Sequence, residues 1–421
     1  MISWLILVVL CAVLLWKLPA PKRKLWAFLF LYKLVFLWLF FWVHQRYYAH
    51  YQWDFWLIFL DACQLNDLFW RSPNDFFQTF FLTPTQPEKF YFSEQPRAFF
   101  TAKLYFPFVV LAQKNWLLSS LYAILLYLIA LYVFIQTLQQ ILFRQKLWIY
   151  VLMFLPSLQF WTSGTSKEIW LMICIYSIIA LHLQVFYLQK ALLSHLFIAV
   201  ILFFILWKVK YYYAFGIAFF LLAERLIFFW QNEKISPKVK WTATLIALVL
   251  LTLLPFLHTN LHLENFPEAL YENYRITLQA SPKDSAVGLG LDSTWTSCLI
   301  NSYKGTWIAL FAPLPWQATN LNMALASVEN ILFLVGLVFS LWISIQRLLR
   351  KKERKSSFFW ASLLFVLLMA TFLGLSSPNF GALSRYRIGF SWLLWVWITW
   401  TWEKFFCFLK QSFKPQRLNG V

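Results

Sequence analysis

The chain has 421 residues, of which 61% are hydrophobic, 21% aromatic and 13% charged, and it carries a formal net charge of +19. A soluble domain normally has about a quarter of its residues charged, so this composition excludes one. The basic residues form short clusters between apolar runs, as in cytoplasmic loops facing anionic lipid, which excludes nucleic acid as the partner.

Runs of about 20 apolar residues recur along the whole length and predict membrane-spanning helices. In chain order, eleven spans are expected near 2–16, 25–43, 115–135, 147–160, 168–189, 191–207, 211–230, 240–258, 323–345, 357–376 and 387–406. Residues 1–18 have no basic start and no small-residue cleavage site, and their basic group Lys22-Arg23-Lys24 follows the apolar run. The first run is therefore read as a helix and not as a signal peptide. If residues 17–24 face the cytoplasm, every second loop should be basic. Arg144/Lys146, Lys190, Lys234/Lys238/Lys240, the run 347–355 and the tail 410–417 all satisfy this. Lys and Arg carry the orientation signal, so the N-terminus is expected outside and the C-terminus inside. The fold class is thus an all-α polytopic membrane protein, a single integral membrane domain over residues 1–421, bacterial inner membrane being the expected site. Its outer side bears two large loops, 44–103 and 259–322. No internal repeat and no inverted pair of broken helices is present.

Loop 44–103 holds Asp54, Asp61, Asp67, Asp75, Glu88 and Glu94 among aromatic residues. Residues 54–70 and 97–111 read as helices lying in the interface, where Trp, Tyr and Lys prefer to sit. Asp54, flanked by Trp53, Phe55 and Trp56, is a carboxylate in an apolar setting. Desolvation disfavours its charge and suits it to act as a base; the alternative is a carboxylate facing water. Asp61, seven residues on, returns to about the same helical face and is the second catalytic candidate.

The turn Ser163-Gly164-Thr165-Ser166-Lys167-Glu168 enters the fifth span. Exposed amides at a helix start favour an anion, and Lys167 adds a point charge, so phosphate binding is one reading. In the other, Ser166 caps the helix, Glu168 complements its positive end and Lys167 snorkels. The short outer turn Lys208-Val209-Lys210 adds Lys210 to the candidates for phosphate. Arg385, Tyr386 and Arg387 are expected just before the last span, where positive-inside statistics disfavour arginine. Bidentate binding of a lipid phosphate is a natural cause, and pairing with an outer acid is the alternative. Glu329, inside the ninth span, needs a partner or a cavity and could pair with either arginine. Residues 313–317, with Trp316, suit a re-entrant corner lining the site. His258, His262 and Glu264 have metal-compatible spacing, but such pairs beside a span end are more often incidental, and no metal site is assigned. No cofactor is specified; a divalent metal on outer-loop carboxylates stays an open alternative. Cys63 and Cys298 fall in the two large outer loops and are a candidate disulfide.

The outer-facing site, the long first outer loop with an early Asp, and the span count together resemble the GT-C superfamily of integral membrane glycosyltransferases. Local strings carry part of the likeness: Phe154-Leu155-Pro156-Ser157, Ser163-Gly164-x-x-Lys167-Glu168, Pro315-Trp316, Asn379-Phe380-Gly381 and Arg385-Tyr386-Arg387. The resemblance implies a polyprenyl-linked sugar donor and transfer, outside the membrane, to a lipid, glycan or protein acceptor. By the same analogy Asp54 activates the acceptor hydroxyl while Lys167, Arg385 and Arg387 bind the departing phosphate. The chain departs from relatives that place two acids close together in the first loop. An O-antigen ligase or polymerase is a second reading, in which loop 259–322 with Arg275 holds the site. A lipid-linked saccharide transporter or an assembly scaffold is a third. The mid-span ionisable residues Lys33, His182 and Glu329 are few, and the polar groups crowd one surface, which favours surface chemistry.

Overall fold

The computed structural model describes residues 2–47, 53–142, 148–253, 256, 258–349 and 356–412. Tyr51 and Gln52, the Arg144/Lys146 loop, the basic run 350–355 and the tail from 413 lie outside the described residues. Among the described residues the chain is helical, with no β-strand; one isolated antiparallel bridge joins Ala286 and Asn379. The chain divides into two compact units, the first of Met1–Thr137 and Met153–Ala214, the second of Leu138–Leu152 and Phe215–Val421.

The first unit contains α1 (Ile2–Lys17), α2 (Ala20–Tyr47), α3 (Asp54–Arg71), α4 (Pro73–Phe81), α5 (Pro96–Leu111), α6 (Trp116–Ile141), α7 (Pro156–Trp161), α8 (Lys167–Leu188) and the first part of α9 (Leu192–Gln231). Its centre is α6 and α8, whose most apolar windows are 78% and 72% buried, whereas that of α2 is only 28% buried. Tyr176 stacks on Phe134 at 4.8 Å and meets Tyr127 at 6.2 Å between the two central helices. On α2 the exposed residues Phe28, Leu31, Val35, Trp38 and Trp42 recur at three- and four-residue intervals and form one bare apolar stripe. A helix that turns such a stripe outward requires lipid and not water as its solvent. Outside the core, α3 packs Phe55, Ile58, Phe59, Ala62 and Leu65 inward, and α5 offers Ala98, Ala102, Tyr105 and Val109. Helices are therefore present over both segments expected to be helical, 54–70 and 97–111.

The second unit contains the rest of α9, α10 (Pro237–Leu253), α11 (Phe266–Ala280), α12 (Trp295–Phe311), α13 (Leu321–Leu349), α14 (Ser357–Ser376) and α15 (Phe380–Ser412). Its tightest contact joins α12 and α14. A Cβ on Gly374 would overlap the Gly305 carbonyl, so the two backbones touch. Thr306 and Thr371 share a 2.7 Å hydrogen bond beside that crossing. Small residues at the contact and hydroxyls across it are what membrane helices use to associate.

Among the described residues six helices are long and apolar enough to cross a membrane: Ala20–Arg46, Trp116–Ile141, Lys167–Leu188, Leu192–Gln231, Leu321–Gln346 and Ser357–Ser376. The chain is an all-helical integral membrane protein. Three sequence expectations change. Residues 148–160 form a 3-10 turn (Trp148–Phe154) and the six-residue α7, not one span. Pro156 stands at the start of α7, where its missing N–H and fixed φ suit a first turn and not a helix interior. The spans expected at 191–207 and 211–230 are present as the two helical halves of α9, and the backbone breaks between them at Lys210 (φ −152°, ψ 83°), within the expected turn. Loop 259–322 is largely helical, because α11 and α12 occupy it. Last, α15 begins at Phe380, so Arg385, Tyr386 and Arg387 lie within its first turns and not ahead of the helix.

Candidate functional site

In the first unit, Trp53 and Phe55 anchor the start of α3. Phe55 lies 4.8 Å from Phe40, 4.9 Å from His44 and 5.4 Å from Trp53, ring centre to ring centre. Both anchors are buried, and the residue between them, Asp54, is exposed at the first position of the helix. Its charge there complements the positive helix end. Asp61 is different. It is fully buried and accepts hydrogen bonds from the amides of Tyr91 (2.8 Å) and Phe92 (3.0 Å). Burial pushes its carboxyl up to about 6, against the opposing pull of those two amides. Both of its oxygens hold the segment before α5 onto α3. The seven-residue spacing places the two acids at a similar angle on the helix, but only Asp54 extends past the covering segment.

The turn 162–167 is tied down from several sides. Gly164 has φ +70°, and a Cβ there would meet the Phe40 ring at 2.7 Å. Thr165 donates its hydroxyl to the Phe55 carbonyl (2.6 Å) and accepts from the Trp116 indole (3.1 Å). Tyr105 donates to the Ser166 carbonyl (3.0 Å). From below, the buried Lys33 ammonium donates to the Gln159 carbonyl (2.7 Å) and the Thr162 hydroxyl (2.5 Å), with the Tyr127 ring 4.8 Å away. Ser166 occupies the cap position of α8, but its hydroxyl donates backward to the Trp161 carbonyl and does not cap the helix. Lys167 sits over the Phe92 ring at 5.7 Å. Glu168 is fully buried and accepts from Lys210 at 2.9 Å, where the backbone break in α9 brings the ammonium inward. Lys210 therefore serves a buried carboxylate.

The second unit holds the other expected residues. Arg387 is buried; its Nε donates to the Ala309 carbonyl (2.6 Å), and its terminal nitrogens donate to Asn330 and to the carbonyls of Ile308 and Ala312. The carbonyls of Ala309 and Ala312 lie at the end of α12, where Pro313 offers no N–H to Ala309, so the guanidinium caps the helix. Asn330 in turn donates to the Pro313 carbonyl (2.8 Å). The corner after α12 thus lies beside the third turn of α13. Glu329 is half-buried, and its charge acts on Arg387. Arg385 and Tyr386 are half-buried in the turn before Arg387. Asn379 donates to the hydroxyls of Ser281 (2.8 Å) and Ser285 (2.9 Å) and accepts from the Ala382 amide, which starts α15. Trp316 is 76% exposed. Arg275 is exposed and pairs with Glu272 at 2.9 Å on the surface of α11. Cys63 and Cys298 are free thiols. Among the described residues no group of three or more His, Cys, Asp and Glu side chains could hold a metal ion.

The structure therefore joins the start of α3 to the 163–168 turn, and Arg387, Asn330 and the 312–315 corner to one another. Sequence reasoning missed Tyr105, Trp116 and Asn330, which are tied to sites by hydrogen bonds that no spacing reports. Compared with models of known protein families, with characterised proteins and with solved structures, the chain matches none.

Proposed function

We propose that this protein is a membrane glycosyltransferase that moves a sugar from a polyprenyl-phosphate or -diphosphate donor to a lipid, glycan or protein acceptor. The reading keeps a GT-C-like layout of membrane-spanning helices, with the reaction on the outer face of a bacterial inner membrane, the N-terminus outside and the C-terminus inside. One observation carries it. The Thr165 hydroxyl binds the Phe55 carbonyl, so the exposed carboxylate of Asp54 and the anion-favouring turn before α8 belong to one rigid piece of structure.

In this assignment Asp54 takes the proton of the acceptor hydroxyl as the new glycosidic bond forms. Lys167, at the positive start of α8, stabilises the negative charge left on the phosphate. Asp61, Glu168, Lys210 and Arg387 are positioning residues, because each is buried and engaged by neighbouring groups. Tyr386, Glu329 and Trp316 support the α15 and corner side. The ligase reading loses its main cation, since Arg275 is engaged by Glu272 at the surface.

The test is sugar transfer in membranes supplied with a polyprenyl-phosphate sugar. Asp54→Asn and Lys167→Gln should each abolish most of the product while the protein remains at its usual level in the membrane. Unchanged product with both variants would remove the assignment and leave the scaffold reading.

A further inference from the structure

The N-terminal half of α9 turns a continuous apolar ridge outward. Leu193, Phe197, Val200, Ile201 and Phe204 are 82%, 68%, 61%, 45% and 55% exposed, at three- and four-residue intervals. From Leu193 to Phe204 the ridge runs about 17 Å at about 1.5 Å per residue, against about 15 Å for the hydrocarbon of one leaflet. It ends in cations. Lys208, one turn beyond Phe204 and exposed, lies over that ring at 5.7 Å, and Phe100 of α5 meets the same ring at 6.0 Å. Arg97, also exposed, lies 5.5 Å from the Tyr211 ring. Lys103 lies 4.8 Å from the Phe99 ring and donates to the Phe80 carbonyl (2.7 Å). The seam between α5 and α9 therefore gathers three cations above an apolar track. Among the described residues none of the three forms an ion pair, although Glu94 stands only three residues before Arg97. Burial, and after it the charge of Lys208, lowers Lys103 to about 8. The cations thus repel one another where no acid relieves them, a cost that a bound anion would remove.

We infer that Arg97, Lys103 and Lys208 hold the headgroup phosphate of an anionic diacyl phospholipid whose acyl chain lies along the exposed ridge of α9. Charge selects the headgroup, and the ridge selects a lipid over a free phosphate. The inference does not depend on the transferase reading, because none of these residues is assigned to the reaction.

A photoactivatable phosphatidylglycerol, added to the purified full-length protein in neutral detergent, tests it by peptide mapping. Labelling should concentrate on the segments around residues 97–103 and 204–211. Unlabelled phosphatidylglycerol should suppress it, and phosphatidylcholine should not. Each basic residue beside an anionic headgroup is worth about fivefold, corresponding to about 1 kcal/mol. Lys208→Gln should therefore lower labelling about fivefold, and the variant carrying Arg97→Gln, Lys103→Gln and Lys208→Gln about a hundredfold. Lys208 is exposed, so its single variant keeps the test decisive if the triple variant fails to fold. Equal labelling by a phosphatidylcholine probe, or full labelling of Lys208→Gln, would overturn the proposal. So would competition by inorganic phosphate or polyprenyl phosphate where phosphatidylglycerol gives none.

Discussion

One buried cation from each unit shows two different means of holding a charge. In the first, the Lys210 ammonium meets the carboxylate of Glu168, and both side chains are 5% exposed or less. In the second, the Arg387 guanidinium is distributed over the carbonyls of Ile308, Ala309 and Ala312 and the amide of Asn330. A compact ammonium suits one carboxylate, whereas a planar fork with five donors suits a helix end that presents several acceptors. The lesson concerns function. A charged residue inside a membrane protein invites a catalytic assignment, yet these are occupied in fastening α9 to α8 and α12 to α15. The exposed Asp54, set between two buried rings, is the better candidate for chemistry.

The largest effects should come from breaking these fastenings one at a time. Glu168→Gln leaves a buried ammonium without its counter-charge and should cost about 3–5 kcal/mol, read as a lowered melting temperature in detergent. Replacing both partners, Glu168→Gln with Lys210→Met, should restore part of that loss. Arg387→Met orphans carbonyls at the end of α12 and should cost about 3 kcal/mol. Arg387→Lys should rescue little, because one ammonium cannot reach the same set of acceptors. If Arg387→Lys melts like the parent, the proposed contrast between the two cations is wrong.

A second effect separates Asp61 from Asp54 by pH. The folded Asp61 carboxyl is raised to about 6, above its usual value of 3.8. The folded state therefore binds this proton more tightly than the unfolded chain does. Its contribution to stability is fully present below about pH 4 and is lost as pH rises through about 6, by up to about 3 kcal/mol. The parent should gain stability relative to Asp61→Asn as pH falls from 7 to 4.5. Parallel melting curves for the two proteins would contradict the burial assigned to Asp61. Gly374→Ala comes next, since its Cβ meets the Gly305 backbone, and should cost about 1–3 kcal/mol by forcing α12 from α14. Arg275→Ala should be smallest, with no measurable change in melting or in transfer.

Much of the architecture is legible in the chain. The spans expected at 25–43, 115–135, 168–189, 323–345 and 357–376 correspond to α2, α6, α8, α13 and α14, and the helices expected between the second and third spans stand at 54–71 and 96–111. Length and apolar composition suffice for such segments, because lipid demands a satisfied backbone over a fixed thickness. The same rule misleads at 148–160, where an apolar run folds into short turns that the rest of the unit covers. It also passes over α12, whose Lys304, Asn301 and serines read as a loop. Its one sequence signal was Gly305, in a chain with only ten glycines. Site residues were legible by type and not by partner. Spacing put Asp54 and Asp61 on one face, but only the covering segment at Tyr91 and Phe92 distinguishes the exposed acid from the buried one. Arg387 and Lys210 were read as phosphate ligands because nothing in the sequence shows the carbonyls and the carboxylate they already meet.

The most direct test of the account compares Asp54→Asn with Asp61→Asn in a sugar-transfer assay on membranes, with melting measured on the same preparations. Asp54→Asn should lower transfer by about a hundredfold or more with melting unchanged, since general-base contributions are about 10²–10⁴-fold. Asp61→Asn should alter the pH dependence of melting while leaving the transfer rate of the folded fraction within a fewfold of the parent. Full transfer by Asp54→Asn, or its loss in Asp61→Asn at undiminished stability, would contradict the assignment of the exposed carboxylate as the working one.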